Sequence, residues 1–126
     1  MTPHRNVSAA AARYRGVQVA TCTPRQLLVL LFDGAIRFIY DAEVAMGVRD
    51  RARAGERIGK AHAILAELAS TLDRRHAPEL SDNLLGIYSF GMGHLLEANL
   101  NQDPKLLAEV VASLTPLRDA FAAAGG

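Results

Sequence analysis

The chain has 126 residues, half of them hydrophobic, with a formal net charge of +1 at pH 7 and a single cysteine. This length predicts one domain that buries enough surface to fold without a metal or a disulfide. The small net charge argues against nucleic acid as a partner, no apolar run is long enough to span a bilayer, and no secretory signal is visible, so we expect no membrane insertion and a cytoplasmic location.

The first 22 residues are rich in alanine and arginine and show little apolar periodicity. We expect residues 1–22 to form a flexible, partly helical N-terminal arm. Residues 23–126 then form a helical-bundle domain, because alanine and leucine dominate its composition and tryptophan is absent.

A first long helix is predicted to begin after Thr23. Threonine as the cap, Pro24 at the first helical position and Gln26 three residues after the cap together form a capping box. The helix is expected to run to about Met46 and to stop at Gly47.

Three further helices follow in the pattern of apolar residues. The second is predicted over residues 56–72 after a connection at 48–55, and the third from residue 79 or 81 to residue 101. Asp103 and Pro104 open the fourth, in which Pro116 should cause a kink or a restart with Thr115 as a new cap. Four amphipathic helices with short links predict an all-α, antiparallel four-helix bundle.

The first and third predicted helices carry more apolar surface than a bundle position requires. On a helical wheel their apolar residues cover arcs of roughly 180° and 200°, against about 100° for a bundle helix. They could be the two most buried helices, they could form a groove for an amphipathic helix of another protein, or they could form a homodimer interface. The pattern alone does not separate these alternatives.

No catalytic or cofactor motif is present in the sequence. Its histidines are dispersed, it lacks the Glu-x-x-His pairs of a di-iron bundle, and it has neither a phosphate-binding loop nor a dinucleotide fingerprint. We therefore expect a protein without cofactor, metal or enzymatic activity. One alternative is a phosphotransfer domain that uses His62, although the lysine and glycine expected after such a histidine are missing.

Several blocks of sequence stand in a characteristic order and at characteristic separations: Tyr14 with residues 17–21, residues 23–28, residues 31–38, Leu84-x-x-Ile87-Tyr88, residues 96–99, Asp103, and residues 114–121. Together these blocks resemble the FliS family of flagellar export chaperones. Phe32 and Phe121 stand where the family usually has Tyr and Trp, and Pro116 is foreign to the fourth helix.

The resemblance implies a chaperone that binds the disordered C-terminal segment of flagellin, which becomes helical along the bundle. Such proteins block premature filament assembly and deliver flagellin to the type III export apparatus, whose components are further partners. In the family the N-terminal arm can lie across the binding surface when flagellin is absent. A self-associating structural bundle with no flagellin client is the competing alternative.

The predicted flagellin groove combines the spare apolar arcs of the first and third helices with the arm. Asp33 and Asn99 would orient polar groups of the client, and Phe32→Glu is expected to abolish binding while leaving the helical content intact. The candidate residues are Tyr14, Val17, Leu28, Phe32, Asp33, Ile36, Leu85, Tyr88, Met92, Leu96 and Asn99.

Overall fold

A computed structural model describes residues 22–124 of the chain. This part of the protein contains four helices: α1 (Pro24–Gly47), α2 (Arg51–Ser70), α3 (Pro78–Asn101) and α4 (Pro104–Ala124). The described residues contain no strand. The all-α prediction is therefore confirmed, whereas the predicted arm lies outside the described residues except for Cys22.

The N-terminus of α1 has the predicted capping box. The backbone amide of Gln26 donates to Thr23 Oγ1 at 3.1 Å, and the backbone amide of Thr23 donates to Gln26 Oε1 at 2.9 Å. At the other end Gly47 is still helical, and the left-handed backbone position falls at Arg49, with φ of 60°. The tight connection to α2 thus places a non-glycine residue in a conformation that favours glycine.

Helix α2 begins five residues earlier than the sequence pattern indicated. Asp50 is its N-cap, and its carboxylate accepts a hydrogen bond from the Arg53 amide at 3.0 Å. The apolar stripe of α2 extends back to Ala54, which is fully buried. The expected connection over residues 48–55 is therefore wrong in its second half, because an aspartate cap and a buried alanine continue the helix.

Helices α3 and α4 are joined by a short turn. Gln102 adopts a left-handed conformation, with φ of 51°, and its side chain donates to the Asn99 carbonyl oxygen at 2.7 Å. Asp103 then accepts from the Lys105 amide at 3.0 Å, as expected of an N-cap.

Pro116 lies inside α4, which remains helical from Pro104 to Ala124. The expected restart at Thr115 is therefore wrong. The Thr115 hydroxyl does not cap a new helix but donates to the Val111 carbonyl oxygen one turn earlier, at 2.8 Å. Beyond the proline, the last turns of α4 contact α1 through Phe121 and Arg118.

The helices pack in an antiparallel bundle in which α1 and α3 each lie beside both α2 and α4. Helices α1 and α3 are therefore diagonal, and the core lies between all four. The largest fully buried side chains of the described residues are those of Phe32, Ile39, Ile58, Leu65, Tyr88, Leu95, Leu107, Val110 and Leu114.

Candidate partner-binding surface

The candidate residues of α1 face the core and α4. The Arg118 guanidinium donates to Asp33 Oδ1 at 2.8 Å, and the ring of Phe121 stacks on Phe32 with centroids 5.8 Å apart. Leu28 and Ile36 are half-buried and pack against the same core. Phe32 and Asp33 on the α1 side of the predicted groove are therefore covered by the C-terminal end of α4.

Two aromatic candidates lie inside the bundle. Phe32 is 0% exposed and Tyr88 is 1% exposed, and their ring centroids are 6.2 Å apart across the core. The expectation that these rings line an exposed groove is wrong for this structure, because the diagonal arrangement of α1 and α3 points both inward. Their contact with a partner stays a prediction.

Burial changes the acid–base chemistry of one of these rings. It raises the pKa of Tyr88 to about 12, because the charged phenolate is poorly solvated in the core. On the α4 side, the hydrogen bond to Asp33 raises the pKa of Arg118. Both groups keep their ordinary protonation states at neutral pH, so this region is an aromatic core with one ion pair at its edge.

The candidate residues of α3 other than Tyr88 form a second, separate group. Their spacing places Leu85, Met92, Leu96 and Asn99 on one stripe of the helix, on the flank that faces α2. Asn99 identifies this flank, because its Oδ1 atom lies 3.5 Å from the position that a Cβ atom on Gly55 of α2 would occupy.

This α3 stripe includes strongly exposed leucines. Leu96 is 57% exposed, and Leu100, one turn further on, is 76% exposed. One turn after Gly55, α2 presents the exposed Gly59, where an added Cβ would meet nothing within 4 Å. Leu100 belongs to the apolar arc predicted for the third helix but was not among the candidate residues. We call Met92, Leu96, Leu100 and the adjoining Gly55 and Gly59 the α2–α3 apolar face.

The structure thus divides the predicted groove into two places. The α1 residues contact α4 on one flank of the bundle, and the α3 residues lie beside α2 on another. The expectation of one outer groove shared by α1 and α3 is wrong, because the two helices are diagonal and not adjacent. Tyr14 and Val17, the predicted contribution of the arm, lie outside the described residues.

An open cleft between α3 and α4 was not anticipated from the sequence. It has a volume of about 470 Å³ and includes Gly86, Ile87, Phe90 and Ser113 in its lining. Phe90 packs on the His94 ring with centroids 3.9 Å apart. Phe90 is an isolated aromatic on the polar side of its helix, so apolar periodicity alone gave no signal for it.

The described residues hold no group of three or more histidine, cysteine, aspartate or glutamate side chains that could bind a metal ion. None of the helices in residues 22–124 is long and apolar enough to cross a membrane. His62 is partly exposed on α2. The fold and its surfaces define a helical-bundle protein whose exposed apolar side chains suit protein–protein contacts.

Comparison with known proteins gives the family. The family model for the flagellar protein FliS matches residues 6–126. The flagellar secretion chaperone FliS of Bacillus subtilis is 36% identical over 108 residues, covering 86% of this chain and 80% of the relative. The FliS of Escherichia coli is 32% identical over 104 residues, covering 82% of this chain and 76% of the relative.

The solved structures show the same architecture. The crystal structure of a bacterial flagellar chaperone matches with a TM-score of 0.76 at 21% identity, over 92% of this chain and 94% of that chain. The chain belongs to the FliS family of flagellar secretion chaperones. This is a chaperone family and not an enzyme family, so the alternative of phosphotransfer through His62 is set aside.

Proposed function

We propose that this chaperone binds the C-terminal segment of flagellin in the cytoplasm, prevents its premature polymerisation and supports its delivery to the flagellar export apparatus. Membership of the FliS family supports a flagellar client. The observation that carries the proposal is the α2–α3 apolar face, where Leu96 and Leu100, one helical turn apart, are both mostly exposed.

The chemistry of this face suits an unfolded segment that becomes helical on binding. An amphipathic helix can lay its apolar stripe against Leu96 and Leu100, and the small residues of α2 leave room for its backbone. Asn99 can offer its side-chain amide to polar groups at the edge. Burial of apolar area offsets the entropy that the disordered segment loses on ordering, which gives a tight complex that can still be released.

Leu96→Glu tests this proposal. We expect the variant to keep the helical content and thermal stability of the wild type, because Leu96 is exposed, and to bind a labelled peptide of the flagellin C-terminal region at least about tenfold more weakly, measured by fluorescence anisotropy. Val44→Glu is the matched control, since Val44 is a similarly exposed apolar residue on α1.

Two results would overturn the proposal. Failure of the wild type to bind the peptide would remove flagellin as the client. Equal affinities of the wild type, Leu96→Glu and Val44→Glu would show that the peptide binds elsewhere on the bundle.

A further inference from the structure

The last turns of α4 are attached to the bundle differently from the rest of the helix. Leu114 is the last buried residue of α4, and each residue after it is either half-buried or exposed. We call residues 117–124 the terminal cover. It is held on α1 by the stacking of Phe121 on Phe32, the hydrogen bonds from Arg118 to Asp33, and a hydrogen bond from Arg25 to the Ala124 carbonyl oxygen at 2.7 Å.

The hydrogen bonding of the α4 backbone changes just before this cover begins. Pro116 has no amide hydrogen, so the carbonyl of Ala112 loses its regular helical donor. The hydroxyls of Ser113 and Thr115 donate to the carbonyls of Val110 and Val111, both at 2.8 Å, and such bonds tend to bend a helix. Three successive carbonyls just before the cover therefore have altered hydrogen bonding, which makes this the natural hinge of α4.

The cover lies over the residues of α1 that the sequence placed in the flagellin groove. Phe32 is completely buried with Phe121 stacked on it, and the Asp33 carboxylate is engaged by Arg118. Displacement of the cover would expose one face of the Phe32 ring and free the carboxylate, while Tyr88 would still support the ring from the core.

We infer that the terminal cover is displaceable, and that the surface beneath it binds a helical segment carrying an apolar side chain three residues after a cation. The cover itself defines this chemistry, since Phe121 follows Arg118 by three residues and the two occupy the ring and the carboxylate. The inference rests on the proposed function, because it takes the segment to be part of the flagellin client. The client and the cover then compete for one site.

Competition predicts opposite effects for two substitutions. Phe121→Ala removes the ring that covers Phe32 and should strengthen binding of the flagellin peptide, because the affinity of a partly closed site is reduced by its open fraction. We expect a gain of about threefold or more. Pro116→Ala restores the missing amide, closes the hinge and should weaken binding by a similar factor. Ala123→Ser, at an exposed position of the cover, is the matched control and should bind like the wild type.

Hydrogen exchange on the wild type provides a test without substitutions. When the peptide is bound, amides of residues 118–124 should exchange faster than in the free protein, whereas those of α2 should not. Slower exchange in residues 118–124 on binding, or weaker binding by Phe121→Ala than by the wild type, would overturn the inference. A third result would overturn the inference and leave the proposed function intact. In that case the peptide binds the wild type, fails to bind Leu96→Glu, and binds Phe121→Ala with the affinity of the wild type.

Discussion

Arg118 on α4 and Asp33 on α1 form an ion pair in which the guanidinium Nε and Nη2 atoms lie 2.8 and 3.5 Å from the two carboxylate oxygens. The two residues are 85 positions apart in the chain, so the pair connects the last turns of α4 to α1. Both side chains are partly screened from solvent by the bundle, with about one third of each exposed.

The Asp33–Arg118 pair should contribute a salt-dependent coupling to stability. In a double-mutant cycle with Asp33→Ala and Arg118→Ala, we expect a favourable interaction at low ionic strength that shrinks when the salt is raised to about 1 M, because screening weakens the Coulomb attraction. Chemical unfolding monitored by circular dichroism measures it.

A second ion pair provides the control for this cycle. Arg74 and Asp82 lie 2.6 Å apart, but both side chains are more than half exposed. Their coupling should be smaller than that of Asp33 and Arg118 under the same conditions. A larger coupling for the exposed pair would contradict the view that partial burial strengthens the inner one.

Phe32 should behave as a core residue and not as a surface residue. Its ring is fully buried between Tyr88 and Phe121, so Phe32→Ala should lower the free energy of unfolding by about 3–5 kcal/mol. Phe32→Glu should abolish the cooperative thermal unfolding transition of the bundle, because a carboxylate would be buried without a partner. This result differs from the sequence-based expectation that Phe32→Glu keeps its helical content.

Tyr40→Ala is the matched control on the same helix. Tyr40 is 52% exposed, and its loss should change stability by no more than about 0.5 kcal/mol. Thermal melts of the three variants check the prediction. A Phe32→Ala variant as stable as Tyr40→Ala would show that the ring does not belong to the core.

Local signals in the sequence predicted most of the fold. The capping box at Thr23, the Asp103–Pro104 start and the three- and four-residue apolar spacing act within one or two turns, and they determine where α1, α3 and α4 begin. The beginning of α2 was misplaced because its cap, Asp50, stands in an arginine-rich stretch that resembles a connection.

The site could be predicted less well, because it depends on which helices are neighbours. A helical wheel shows how much apolar surface a helix has but not which element covers each part of it. The arc of α1 that includes Phe32 is covered by Phe121 from the far end of the chain, whereas the exposed part of the α3 arc lies around Leu96 and Leu100. Only the packing order of the helices distinguishes a covered arc from an open one.

The buried phenol of Tyr88 should make stability fall at alkaline pH. Its pKa is raised from 10.0 to about 12 in the folded protein, so the unfolded chain loses this proton first. The contribution of the protonated phenol to the stability of the folded state is complete below pH 10 and is lost as the pH rises toward 12. Between about pH 8 and pH 11 the wild type should lose about 1.4 kcal/mol more than Tyr88→Phe, which has no proton to release. Urea titrations at several pH values measure the free energy of unfolding of both proteins. The same loss with pH in the wild type and in Tyr88→Phe would contradict this assignment.

Glycines of α3 should respond to alanine in opposite ways, depending on what surrounds them. An added Cβ at Gly86 or Gly93 would meet nothing within 4 Å, so each substitution should stabilise the protein by up to about 1 kcal/mol through helix propensity. At Gly91 the Cβ would lie 2.9 Å from Leu65 Cδ1 and 3.5 Å from Val110 Cγ1. Leu65 is fully buried and cannot move aside without disturbing its neighbours, and such overpacking costs about 1–3 kcal/mol.

The difference between these positions is the quantity to measure. Gly91→Ala should be no more stable than the wild type and at least about 1 kcal/mol less stable than Gly86→Ala, because the same gain in propensity is offset by the clash. Denaturant unfolding of the single variants gives both values directly. Shortening Leu65 should relieve the clash, so Leu65→Ala should be less damaging in the Gly91→Ala background than in the wild type. Equal losses in the two backgrounds would mean that α2 and α3 do not approach each other at Gly91 as closely as the structure shows.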